Sequence, residues 1–205
     1  MAIQLKPIQK ETLTFTIRGS SPLIQHAWSE KALEMLRGKH AGRKTKDREA
    51  RNPEEEARNA AYYTEDGKYG IPAMAFKSAL ISVAHKDLGI EKTLVRKSLF
   101  IHCEDGNGVL EMECSDPVFR EDCVRVGQGK TDLRYRPEFR DWSVRITMTF
   151  DSELLRVDDI MSLVNRAGFG AGIGEWRPEK GGDYGRFEID ESVPIETTAK
   201  LKEAA

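Results

Sequence analysis

The sequence predicts an α+β fold built on an antiparallel sheet, and three observations point there. Apolar and polar residues alternate strictly through "TLTFTIR" (12–18) and again through "WSVRITMTF" (142–150), the mark of half-buried strands. Apolar residues recur at helical spacing in two segments, one after Pro72 and one ending near Ala167. With longer excursions set aside, the order is strand, helix, strand, strand, helix, strand. That is the split βαβ, or ferredoxin-like, arrangement with two helices on one face of the sheet. It hosts many functions and decides none.

In chain order, Leu13, Phe15 and Ile17 face inward on the first strand. "SEKALEMLRG" reads as a short helix, with Ser29 as N-cap and Gly38 as its stop. "KHAGRKTKDREARN" lacks apolar periodicity and is expected to be a basic loop. Pro53 and the carboxylates after it suit a helix N-terminus. "TEDGKYG" is a turn. The helix after Pro72 carries Phe76, Leu80, Val83 and Ala84 inward and closes at Gly89. "RKSLFIHCEDGNGVLEMEC" reads as two strands joined at Asp105–Gly108. Residues 117–141 form a charged excursion, expected to be a hairpin. The second helix buries Val157, Ile160, Met161, Val164 and Ala167. "YGRFEID" is the last strand, and residues 191–205 are read as a polar tail.

The chain has 205 residues, 39% hydrophobic and 32% charged, with net charge −2. This suits one domain over residues 1–190, with a large insert at about 28–69. No apolar run approaches the ~18 residues of a membrane span, and "MAIQLKPIQKETLTF" lacks the apolar core of a signal peptide. A cytoplasmic location is expected. Cys103, Cys114 and Cys123 form neither a CxxC pair nor a disulfide framework, so neither a metal nor a cofactor is expected.

Charge is unevenly placed. Residues 37–51 carry seven Lys or Arg against two acids, among them Arg43, Lys44, Lys46 and Arg48. The excursion adds Arg120, Arg125, Lys130, Arg134, Arg136 and Arg140, with Tyr135 between two arginines.

"GFGAGIGEWRPEKGGDYGRFEI" (168–189) holds seven of the seventeen glycines. Glycine loses the most backbone entropy on folding, so such a cluster has a use. A dinucleotide-binding motif needs a strand before the glycines and a helix after; here the order is reversed. "GQGKTD" (127–132) lacks the first glycine of a phosphate-binding loop, since Val124 occupies its place.

"YGIPAMAFKSALISVA", which contains Lys77, and the glycine segment with its Asp183-Tyr184-Gly185-Arg186 end together resemble two motifs of the RAMP superfamily. Its members include the repeated backbone subunits of CRISPR RNA-guided complexes. The resemblance covers about half the chain. It implies a modified ferredoxin-like (RRM-like) core, a hairpin thumb over about 117–141, and single-stranded RNA held along a filament. It also admits a stand-alone or phage-borne relative, which would reside in the host cytoplasm. Some members cut their target with an aspartate in the loop after the first strand; "GSSPLIQHAWSE" has none there. No catalytic residue is therefore carried over, and a non-enzymatic role is expected.

Tracking a nucleic-acid backbone needs cations for phosphates, small residues for close approach and aromatic faces for bases. Gly172, Gly174, Trp176, Arg177, Lys180, Tyr184 and Arg186 supply all three, beside the insert and excursion cations. The expected partners are RNA or single-stranded DNA and further copies of the chain, with no membrane. Two other readings stay open. His26 could serve a metal-independent RNA endonuclease of the RAMP type, or the glycine loop could be a structural subunit contact. The same glycines could also simply build a tight helix-to-strand crossing, with Trp176 and Tyr184 packed rather than presented.

Overall fold

The computed structural model describes residues 7–28, 30–42, 51–127 and 129–198. The fold is α+β with antiparallel sheets. β1 (Lys10–Gly19) and β9 (Trp142–Asp151) lie at the centre of the main sheet, paired from Lys10↔Asp151 to Arg18↔Ser143. β10 (Phe187–Ile189) flanks β1 and β4 (Leu99–Ile101) flanks β9, giving the order β10-β1-β9-β4. The alternating strands bury one face. Leu13, Phe15 and Ile17 meet Val144, Ile146, Met148 and Phe150 there, each at most 1% exposed.

Two helices cover that face. α3 (Ala73–Leu88) contributes Phe76, Leu80 and Val83, and ends on Gly89 in the left-handed conformation, φ 69°. Its last carbonyls accept from the Gly89 N–H, a normal glycine stop. α5 (Val157–Arg166) contributes Ile160, Leu163 and Val164.

Between β1 and α3, the chain forms β2 (Leu23–Ile24), α1 (Glu30–His40), α2 (Pro53–Asn59) and β3 (Gly70–Pro72). α1 runs through Gly38, the expected stop; the positive φ falls instead at Gly42, 69°. In α2, Pro53 begins the helix and the Asn52 side chain accepts from the Glu55 N–H.

Three readings need correction. α4 (Lys92–Ser98) takes in Arg96–Ser98, read from the sequence as the start of a strand. Only Val95 and Ser98 of its seven residues are buried, too few to set a helical period. The strands around Asp105–Gly108 do not form a hairpin: β4 pairs β9, whereas β5 (Val109–Glu111) pairs β3. The Asp105 carboxylate explains this, accepting from Asn107 and Val109 and also, at 2.6 Å, from the Glu65 N–H. The turn is thus tied to the segment leading into β3. Finally, the chain after β10 does not simply trail off, since β11 (Glu196–Thr197) pairs with β1 at Leu13 and Thr14.

β6 (Glu113–Cys114) runs beside the start of β9. β7 (Val118–Val126) and β8 (Lys130–Phe139) then form the long hairpin, paired from Val118↔Glu138 to Val126↔Lys130. β8 also pairs β2, at Leu23↔Phe139 and Ile24↔Glu138, which roots the hairpin next to β1.

Candidate nucleic-acid interface

The glycine loop begins with a π-helical turn, Ala167–Ala171, at the end of α5. Its glycines approach the protein's own chain. A Cβ on Gly168 would stand 1.9 Å from the Phe187 carbonyl oxygen, one on Gly174 2.4 Å from that of Ile24, and one on Gly185 1.8 Å from that of Ile173. On Gly172 it would meet Pro178 at 2.7 Å. Gly172, Gly174 and Gly185 also have positive φ, 67°, 78° and 66°. Gly172 and Gly174, expected as places where a ligand backbone comes close, are therefore filled by β2 and by the loop itself. The tight-crossing alternative describes them. The loop's aromatic side chains, half-buried, pack against the hairpin.

Chief among these is Trp176, the one non-glycine residue with positive φ (49°) among those described. Its carbonyl accepts from the Tyr184 N–H at 3.1 Å, and the two rings lie 6.0 Å apart. Across from them stands one face of the hairpin. Antiparallel register puts Arg120 opposite Arg136 and Asp122 opposite Arg134, so these four side chains share a face. The Arg120 guanidinium lies 5.1 Å from the Trp176 ring centroid and 5.2 Å from that of Tyr184. Arg136 lies 5.5 Å from Trp176.

Most of these cations have carboxylate partners. Arg120 pairs with Asp122 (2.9 Å) and Glu138 (2.6 Å). Arg136, 4% exposed, pairs with Asp122 (3.4 Å) and Glu175 (3.5 Å). Arg134 pairs with Asp132 at 3.0 Å, and Arg177 with Glu179 at 2.9 Å. Arg177 also donates to the Gly174 carbonyl at 3.1 Å. Arg136 and Arg177 thus brace the hairpin and loop. Lys180 and Arg186 form no carboxylate pair among the described residues; Arg186 donates to the Asp183 carbonyl and, through its main chain, to Ser21 Oγ.

His26 follows β2 and meets this face from the side. Its Nε2 lies 3.2 Å from Arg134 Nη1 and its Nδ1 3.5 Å from Arg136 Nη2. Burial pulls its pKa below the ordinary histidine range, and the Arg136 and Arg134 charges add to this against the opposing Glu175 and Asp132. The ring thus lies between two guanidinia, both of which disfavour its charged form. Preceding it, Gln25 is buried and satisfied at both ends, donating to the Gly70 carbonyl and accepting from the Tyr62 N–H, each at 2.8 Å.

The other face of the hairpin receives the start of α2. Tyr135, expected as an exposed aromatic, is half-buried with the Arg51 guanidinium 5.3 Å from its centroid. Arg51 bridges Glu56 and Asp132 and donates to the Leu133 carbonyl, so the end of the basic stretch is fastened to β8. Arg43, Lys44, Lys46 and Arg48 lie outside the described residues. Lys77 does not join the cluster. Its ammonium sits 4.7 Å from the Phe100 ring and donates to the Arg96 carbonyl, and burial lowers its pKa.

Glu175 is visible in the sequence as an acid among the loop cations, but Asp122 and Glu138, which with it hold the guanidinia in place, were not expected at the site. The alternation of Arg120 and Asp122 against Arg134, Arg136 and Glu138 on two strands was the available signal.

No family model matches the chain, and no curated protein matches it. Among solved structures, Cmr6 from Pyrococcus furiosus is similar at 12% identity and a TM-score of 0.45, with 90% of this chain and 100% of Cmr6 covered. Among the described residues, no helix is long and apolar enough to cross a membrane.

Proposed function

We propose that the protein binds single-stranded nucleic acid without cleaving it, on the surface where the hairpin meets the glycine loop, and that copies assemble along the strand. The supporting observation is convergence. Two segments far apart in sequence meet here, the β7–β8 hairpin and Trp176 with Tyr184 of the glycine loop, while Arg51 at the end of the basic stretch is fastened to the hairpin's other face. Aromatic faces beside guanidinia suit stacked bases and phosphates, without sequence readout. The positive φ of Trp176 adds to this, because bulky residues keep such a conformation only where the surroundings impose it.

The core is read as a modified ferredoxin-like fold, supported by the order β10-β1-β9-β4 with α3 and α5 on one face. Residues 1–190 are taken as one domain, with the β7–β8 hairpin as its thumb. Lys180, Arg186 and the basic residues 43–48 supply the phosphate contacts, while Lys77 would reach a strand only beyond this surface.

The test is fluorescence anisotropy with labelled single-stranded RNA, single-stranded DNA and duplex of equal length, at two salt concentrations, with light scattering alongside. Salt-sensitive binding to single strands with growing particle size is expected. Absence of binding to all three would leave the loop as a structural joint.

A further inference from the structure

The His26 contacts contain an imbalance. A neutral imidazole has one accepting nitrogen and one N–H. Both of its ring nitrogens nevertheless face guanidinium N–H groups, from Arg134 at 3.2 Å and from Arg136 at 3.5 Å. Only one contact can be a hydrogen bond. The shorter makes Nε2 the acceptor, which leaves the Nδ1 hydrogen directed at Arg136 Nη2, donor against donor. Arg136 Nε, on the same edge of the guanidinium as Nη2, is buried and has no acceptor among the described residues. Asp122 takes the opposite corner, Nη1, at 3.4 Å, and Asp132 lies 3.0 Å from Arg134 Nε, which like Arg136 Nε is buried without a hydrogen-bond acceptor among the described residues. Among the described residues, the carboxylate at the crowded edge is Glu175, 3.5 Å from Nη2 and half-exposed. The spot holds more donors than acceptors.

We propose that His26, Arg134 and Arg136 form a seat for one phosphodiester group of the bound strand. Phosphate oxygens accept from a planar guanidinium edge and from an imidazole N–H together, which a single water does less completely. The strand as the source of the phosphate rests on the nucleic-acid reading above; the donor excess does not. Glu175 is the rival anion and moves aside when the seat is filled. A phosphate beside the ring also favours its charged form, so filling the seat draws a proton onto His26, and binding tightens as pH falls through the range where the ring titrates. The groups facing the ring in that titration are Arg134, Arg136, Asp132 and Glu175.

The experiment follows the ring signals of His26 by NMR over pH 5 to 8 in the full chain. It is run alone, with inorganic phosphate, and with a dinucleotide that offers only a diester; oligonucleotide affinity is measured in parallel. With the dinucleotide, the His26 midpoint should rise by about half a unit or more. Glu175→Gln, which leaves the main chain intact, should tighten dinucleotide binding about three-fold. A His26 midpoint that ignores the dinucleotide while oligonucleotides bind overturns the seat and leaves the broader function standing. A response to inorganic phosphate alone overturns the assignment to a strand. A dinucleotide response without oligonucleotide binding supports the seat and counts against the broader reading.

Discussion

Arg120 of the hairpin stands over Trp176 of the glycine loop, its guanidinium carbon 5.1 Å from the ring centroid, while two carboxylates hold it from the other side. This contact joins two halves of the proposed surface that the sequence keeps far apart. Arg120→Ala removes it and leaves buried Asp122 with Arg136 alone, at 3.4 Å. A loss of about 2 kcal/mol is expected, from one cation–π contact and one charge-assisted bond. Thermal unfolding should drop by roughly 4–8 °C for a chain of this size. Arg120→Lys keeps the charge but not the planar fork, so it should recover only part of the loss. Wild-type unfolding of the alanine variant would show that the contact does not hold the two halves together.

The loop glycines separate by what surrounds them. Gly185→Ala places a Cβ 1.8 Å from a main-chain oxygen at a φ of 66°, so the loop must rearrange; a loss of about 3 kcal/mol is expected. Gly181→Ala, with φ 80° but open space around it, should cost about 1 kcal/mol from backbone strain alone. Gly170→Ala has open space and no positive φ, and alanine should be neutral or slightly stabilising. Urea unfolding of the three variants checks the ranking. Equal losses at all three would mean that close packing is not what selects glycine here.

The strands and long helices were legible because each repeats its pattern over seven residues or more. β1, β9, α3 and α5 all fell where alternation or helical spacing put them. The short elements were not. α4 buries two residues, and β5 chose β3 over β4 through the Asp105 carboxylate, a contact between distant segments that no local pattern encodes. Of the candidate site, the residue types were readable but their partners were not. Arg136 reads like Arg134 in the sequence, yet it faces Asp122 and Glu175 inside the cluster because β8 register and loop closure put them there. The glycine cluster was visible at once, but its meaning depended on which chain comes close, and that chain is the protein's own.

His26 gives a pH signature of stability. Its folded-state pKa lies below the unfolded value near 6.5, so the unfolded chain takes up the proton first as pH falls. Stability from this group is complete above about pH 6.5 and is lost as pH drops from there through the lower folded value. His26→Asn removes the titration, so its melting temperature should change less between pH 7.5 and 5.5 than that of the wild type. Calorimetry at those two pH values measures the difference. Equal slopes would mean that the ring titrates alike in both states.

The basic stretch offers the sharpest division between a grip and a solvated face. Removing residues 43–50 takes away Arg43, Lys44, Lys46 and Arg48 but retains Arg51, which clasps Glu56, Asp132 and the Leu133 carbonyl. A thermal melt checks folding before binding is measured. Each phosphate contact on a single strand contributes about 0.7 to the slope of log affinity against log salt. If all four cations touch phosphates, the slope should fall by about 2.8, with the larger loss of affinity at low salt. Arg186→Ala should remove about one such contact, while Arg177→Ala, already paired with Glu179, should leave the slope nearly unchanged and lower stability instead. An unchanged slope after the deletion would place the phosphate contacts on the hairpin and glycine loop alone; an unchanged slope in Arg186→Ala as well would remove the glycine loop from the grip.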